Sequence, residues 1–140
     1  MILTLCLTAC GGGGSGGSGT SPSTLSAAAH VGESLFNDPI LSSTGAMSCA
    51  SCHDKGNHHA APDTRSVPAG ANAGHEAGRQ APSLQYLKFN TAFTFAGDGT
   101  PTGGFTWDGR AASLADQASG PLLNPNEMAN TSIEDVVAKL

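Results

Sequence analysis

Cys49 and Cys52 stand two residues apart, and His53 follows the second directly. That set of donors supports three chemistries. Two thiols on one turn can add to the two vinyl groups of a haem, and the adjacent imidazole then reaches the iron. Two thiolates with a histidine are also part of a zinc site, with His58, His59 and His75 as further nitrogen donors. A bare pair of thiols can shuttle a disulfide. A structural zinc site commonly needs a second cysteine pair, and residues 54–140 contain no cysteine. A disulfide shuttle of the thioredoxin kind follows a strand in a βαβ setting, and no period-2 strand pattern of useful length is visible. Covalent haem is therefore the favoured reading of the motif.

Composition agrees. The net charge is −5 with six Lys plus Arg, and no basic patch exists, which argues against a nucleic-acid groove. Hydrophobic residues make up 39% of the chain, but one Trp, one Tyr and five Phe give a thin core for 140 residues. A large prosthetic group fills such a deficit.

The first ten residues, MILTLCLTAC, resemble the end of a bacterial lipoprotein signal, with Leu7-Thr8-Ala9-Cys10 as the lipobox. On that reading Cys6 leaves with a signal whose true start lies upstream, and Cys10 carries the lipid anchor. Residues 11–26 are a Gly/Ser-rich tether, because such runs behave as random coil. The remaining pair, Cys49 and Cys52, then has one task. Residues 27–140 form the folded domain.

The elements that must position the motif are helical. Apolar residues from Leu25 to Phe36 recur near helical spacing, and Asn37-Asp38-Pro39 ends the run. The stretch 54–82 is rich in Gly, Pro, Ala and Asn, lacks periodicity and reads as a long functional loop. PSLQYLKF predicts a second helix with Pro82 in its first turn. Ser113 and Asp116 predict the start of a third, closed by Gly120-Pro121. Thr131 and Glu134 predict the start of a fourth, with Ile133, Val136, Val137 and Leu140 on one face. The expected fold is mainly α, a cytochrome c-like helical haem domain with long loops.

Three segments then carry a resemblance. LFNDPILSSTGAMSCASCHD, RQAPSLQYLKFNTAF and FTWDGRAASLADQASGPLLNPNEMAN occur in this order. Together they resemble the N-terminal haem domain of the bacterial dihaem cytochrome c peroxidases, a family that includes the haem enzyme maturing the quinone cofactor of methylamine dehydrogenase. The resemblance runs from about Val31 to Leu140. It implies that Cys49 and Cys52 hold haem c and that His53 is the proximal iron ligand. It implies that Trp107 bridges two haems and that Glu127 is the distal acid that moves a proton between peroxide oxygens. His75 falls where some members place a resting-state iron ligand.

Other readings of these residues stay open at this point. Trp107 could pack as core on the haem face, Glu127 could be solvated, and Met128 could itself ligate iron as in electron-transfer cytochromes. Arg110 could bind a haem propionate or pair with Asp108. His58 and His59 read as solvated, and His30 as structural or exposed. The expected reaction is reduction of hydrogen peroxide to water, with electrons from a small periplasmic cytochrome or cupredoxin. Members of the family carry a second C-x-x-C-H, which this sequence lacks after residue 53, so a second haem domain is expected beyond Leu140. The competing expectation is a monohaem electron-transfer cytochrome without catalysis.

Overall fold

The computed structural model describes residues 25–140. The lipobox, Cys6, Cys10 and nearly all of the tether lie outside the described residues. Among the described residues no helix is long and apolar enough to cross a membrane.

Helix α1 runs from Ala27–Asn37, with Ser26 accepting from the Ala29 N–H at 3.2 Å. Its end falls where the Asn-Asp-Pro signal put it, because Asp38 turns extended and its carboxylate accepts from the Ile40 N–H. One helical side is put to use: Gly32, Leu35 and Phe36 face a large cavity. A single 3-10 turn at Cys49–Ser51 carries the first cysteine, and the Cys52 and His53 amides both bond the Cys49 carbonyl. That tight turn brings the two sulfurs and the imidazole to one side.

The expected helix in PSLQYLKF shrinks to one 3-10 turn, Leu87–Phe89. Its first half is consumed by other bonds. The Pro82 carbonyl faces His53, the Ser83 hydroxyl donates to the His58 carbonyl, and Tyr86 sits in the left-handed region at φ 65°. A serine hydroxyl bonding elsewhere is a standard competitor of helix. The segment that follows holds a hairpin too short to leave a period-2 pattern, β1 Thr94–Phe95 and β2 Pro101–Thr102, antiparallel with Thr94 opposite Thr102.

Trp107 is delivered by a turn. Thr106 and Arg110 both bond the Asp108 carboxylate, and Gly109 follows at φ 71°. A Cβ there would lie 2.8 Å from the Phe93 ring, so glycine is required twice over, for the backbone angle and for the ring's approach.

Helix α2, Leu114–Leu123, begins as expected with Ser113 accepting from the Asp116 N–H. Gly120-Pro121 does not close it. Pro121 lies in the last turn, and the helix runs on to Leu123 because the following loop satisfies its terminal carbonyls. The amides of Asn124, Met128 and Asn130 bond the Gly120, Pro121 and Leu122 carbonyls respectively. Helix α3, Ile133–Val137, starts one residue later than expected: Ser132, not Thr131, accepts from the Asp135 N–H. Thr131 instead donates to the Asp135 carboxylate. Of the predicted apolar face only Val136 is buried.

The apolar core is small. Leu41, Met128 and Val136 form it, with Leu35, Met47, Cys49 and Leu122 packed around. Asn130, 6% exposed, ties it together by donating from Nδ2 to the Leu41 and Leu122 carbonyls at 2.8 Å and accepting from Lys139 Nζ. At about 1 kcal/mol per bond, more for the charged partner, Asn130→Ala is expected to lower unfolding free energy by about 2–4 kcal/mol, measured by denaturant titration.

Candidate functional site

A cavity of about 720 Å³ opens between α1, the Cys49–Ser51 turn, the Leu84–Lys88 segment and α2. That is the size of a cofactor pocket, and most of its wall is apolar. Leu35, Phe36, Leu41, Leu84, Leu114 and Leu122 line it. Cys49, Cys52 and His53 stand on its wall, and so do Glu127 and Met128.

His53 is fixed by backbone. Its Nδ1 lies 3.0 Å from the His59 carbonyl and 3.1 Å from the Pro82 carbonyl. Both partners only accept, so Nδ1 carries the hydrogen and Nε2 keeps its lone pair, the form a metal ligand needs. The two thiols are free, and burial pushes both above the ordinary thiol value. For Cys52 the negative charges of Glu127 and Cys49 add to the burial effect, while Arg65 opposes it.

Glu127 is half-buried, and burial raises its carboxyl above the usual range. The hydrogen bond from Asn124 Nδ2 to Oε1, 3.0 Å, pulls it partly back. Its backbone is held on both sides: the Glu127 N–H bonds the Asn124 carbonyl, and its own carbonyl accepts from the Ala71 N–H at 2.7 Å. Gly70 makes that approach feasible, because a Cβ there would lie 2.5 Å from the Asn126 carbonyl oxygen. Gly70→Ala is expected to displace residues 126–127. Overpacking of this kind typically costs about 1–3 kcal/mol, so the unfolding free energy should fall by that amount in a denaturant titration.

The donor chemistry fits haem c. Two free thiols and a pre-oriented imidazole share one apolar cavity, and the small core leaves that cavity without protein side chains to fill it. Among the described residues no group of three or more His, Cys, Asp and Glu side chains is arranged to hold a metal ion.

Three sequence-predicted residues lie elsewhere. Arg110 is not on the cavity wall; its guanidinium bonds Asp108 at 2.7 Å on the surface, the alternative to the expected cofactor contact. Hydrogen bonds from Thr106 and from the Arg110 backbone hold the Asp108 carboxyl below its ordinary value, favouring that pairing. Trp107 is 87% exposed and makes no core contact within this chain. His75 is exposed and off the wall, bonding Asn126 Oδ1 at 3.0 Å. Met128, 4% exposed, packs in the core while its edge reaches the cavity. Of the histidines expected to be solvated, His58 is exposed, whereas His59 is partly covered and meets the Phe36 ring edge-on.

Sequence reasoning missed Arg79, Lys88 and Gln117 on the cavity wall and Asn124 behind Glu127. The Asn-Pro-Asn-Glu run carried a signal for Asn124, since an asparagine two residues before a backbone N–H commonly forms such a turn.

A mainly helical chain with long loops, two thiols and an imidazole around an apolar cavity defines a c-type haem domain of cytochrome c-like build. The family model described as di-haem cytochrome c peroxidase matches residues 26–140, and the chain belongs to that family, whose cofactor is covalently bound haem c. It is 38% identical over 118 residues to the methylamine utilization protein MauG of Paracoccus denitrificans, covering 81% of this chain and 30% of that protein. It is also 38% identical over 110 residues to the cytochrome c peroxidase Ccp of Escherichia coli, covering 79% of this chain and 20% of that one. The crystal structure of the diheme peroxidase BthA from Burkholderia thailandensis superposes with a TM-score of 0.75 at 41% identity, covering 79% of this chain and 28% of that one. The chain thus spans less than a third of the length of these relatives.

Proposed function

We propose that this chain is the peroxidatic haem domain of a periplasmic oxidoreductase that reduces hydrogen peroxide to two waters with two electrons and two protons. The observation that carries the reading is that Cys49, Cys52, His53 and Glu127 line one cavity. Cys49 and Cys52 would form the thioether links, and His53 would supply Nε2 to the iron. When bound, the haem supplies electrons and an open iron position for peroxide. Glu127 then does proton work: its carboxylate takes a proton from one peroxide oxygen and returns it to the departing one. Asn124 Nδ2 bonds that carboxylate, and the Ala71 N–H holds the Glu127 backbone carbonyl.

Electrons would come from a small cytochrome or cupredoxin through a second haem domain outside this chain. The exposed indole of Trp107 is the natural contact for that domain, since an aromatic ring so open to water suits a covering partner. Haem attachment outside the cytoplasm and the lipobox-like MILTLCLTAC support a periplasmic site, with Cys10 as the lipid anchor. His75 takes no ligand role in this reading, because its ring is engaged by Asn126 away from the cavity wall.

A second reading, an electron-transfer cytochrome capped by Met128, has one observation behind it: Met128 also reaches the cavity. The two separate in one experiment on the full-length protein. A pyridine haemochrome spectrum establishes covalent haem, and peroxide is then added after reduction of the partner haem. The peroxidase reading requires turnover that depends on Glu127; a six-coordinate low-spin iron indifferent to peroxide would establish the cytochrome instead.

A further inference from the structure

The chain has three arginines, and two of them are committed. Arg65 bonds Asp63 and Arg110 bonds Asp108, each at 2.7 Å. Arg79 has no carboxylate within ion-pair distance among the described residues. It stands on the rim of the large cavity, and its Cζ lies 5.5 Å from the centroid of the Trp107 ring. Of the side chains on that cavity wall, Glu127 is the one acid, while Arg79 and Lys88 carry the fixed positive charges.

We propose that Arg79 holds a carboxylate of the haem edge while clamping Trp107 beside it, so that one guanidinium couples the cofactor to the exposed indole. The inference rests on the haem-domain reading above. Geometry permits both tasks at once. Stacking on an indole uses the face of the guanidinium, whereas carboxylate recognition uses the N–H groups along its edge. Lysine has the charge but no flat face. Haem carries two propionates, and an apolar cavity with an unpaired arginine at its mouth offers one of them a forked partner.

Arg79 is on this account a positioning residue for Trp107 and an electrostatic partner of the haem. A fixed positive charge near the iron disfavours the ferric state, so its removal makes the reduction potential more negative. Loss of the flat face frees the indole and slows electron delivery, whatever the charge.

The test uses the full-length haem-loaded protein with Arg79→Gln, Arg79→Lys and, as a control, Arg110→Gln. Covalent haem content by pyridine haemochrome is read first, then the potential of this haem by spectroelectrochemical titration, then peroxide turnover. Arg79→Gln is expected to shift the potential to a more negative value and to reduce turnover severalfold. Arg79→Lys should keep most of the potential and still lose turnover, and Arg110→Gln should change neither. The assignment is overturned if Arg79→Gln retains the wild-type potential, if Arg110→Gln shifts it as far, or if Arg79→Lys behaves as wild type in turnover. Absence of covalent haem from the wild type sinks the haem-domain reading and this assignment together, and is seen before any variant is compared.

Discussion

In the full-length protein, Glu127→Gln is expected to lower peroxide turnover by about a hundred- to ten-thousandfold, the range for loss of a positioned general acid–base group. Haem content and the ferric spectrum should stay as in the wild type, because glutamine can still bond Asn124 and leaves the backbone ties to Asn124 and Ala71 intact. The pH dependence carries the same signature. Burial raises the Glu127 carboxyl, so the acid limb of the rate profile should lie above the ordinary glutamate value of about 4.3. Stability follows with a definite sign. A carboxyl raised on folding contributes stability that is fully present below its unfolded pKa and lost as pH rises through the folded one. Relative to wild type, the glutamine variant should therefore gain stability as pH rises through that window, measured by denaturant titration at several pH values. Equal turnover in the two proteins would remove the catalytic role from this residue.

The second large effect concerns the thiols. With Cys49→Ala and Cys52→Ala together, covalent haem is expected to vanish from the domain, and the fold should suffer with it. The protein's own apolar core is small, and the apolar residues around the cavity would meet water once the haem is gone. The haem-free domain should therefore collapse or unfold, with loss of cooperative melting by circular dichroism and increased binding of a hydrophobic dye. A haem-free double variant that melts as sharply as the loaded protein would contradict the view that haem completes the core.

The sequence was most legible where chemistry and local geometry coincide. The thiol pair and imidazole are set by a single turn, and the Ser26 and Ser113 caps by side chains three residues from the amides they bond. It was least legible where a distant partner decides. Periodicity offers PSLQYLKF as a helix, but Pro82 and Ser83 spend their polar groups on residues 53 and 58, a competition that no local window contains. Pro121 ordinarily stops a helix; here three later amides cover the terminal carbonyls and the helix survives its last turn. Among site residues, Glu127 was reachable through family resemblance, whereas Arg79 was not. Its significance lies in an indole 28 positions along the chain that only the folded backbone brings close.

The two carbonyls that meet His53 Nδ1 belong to opposite ends of the long loop, His59 at one and Pro82 at the other. One imidazole hydrogen therefore pins both ends of that loop to the same point, with Ala71 tied to Glu127 between them. The chain between these anchors can lengthen at little penalty, because doubling a flexible loop costs only about 0.6 kcal/mol in closure entropy. Within it the exposed stretch 62–66, clear of Gly70, Ala71 and Arg79, is thus the permissive site for insertion: it can diversify, acquire new recognition residues or accept a grafted segment while His53 stays where it is.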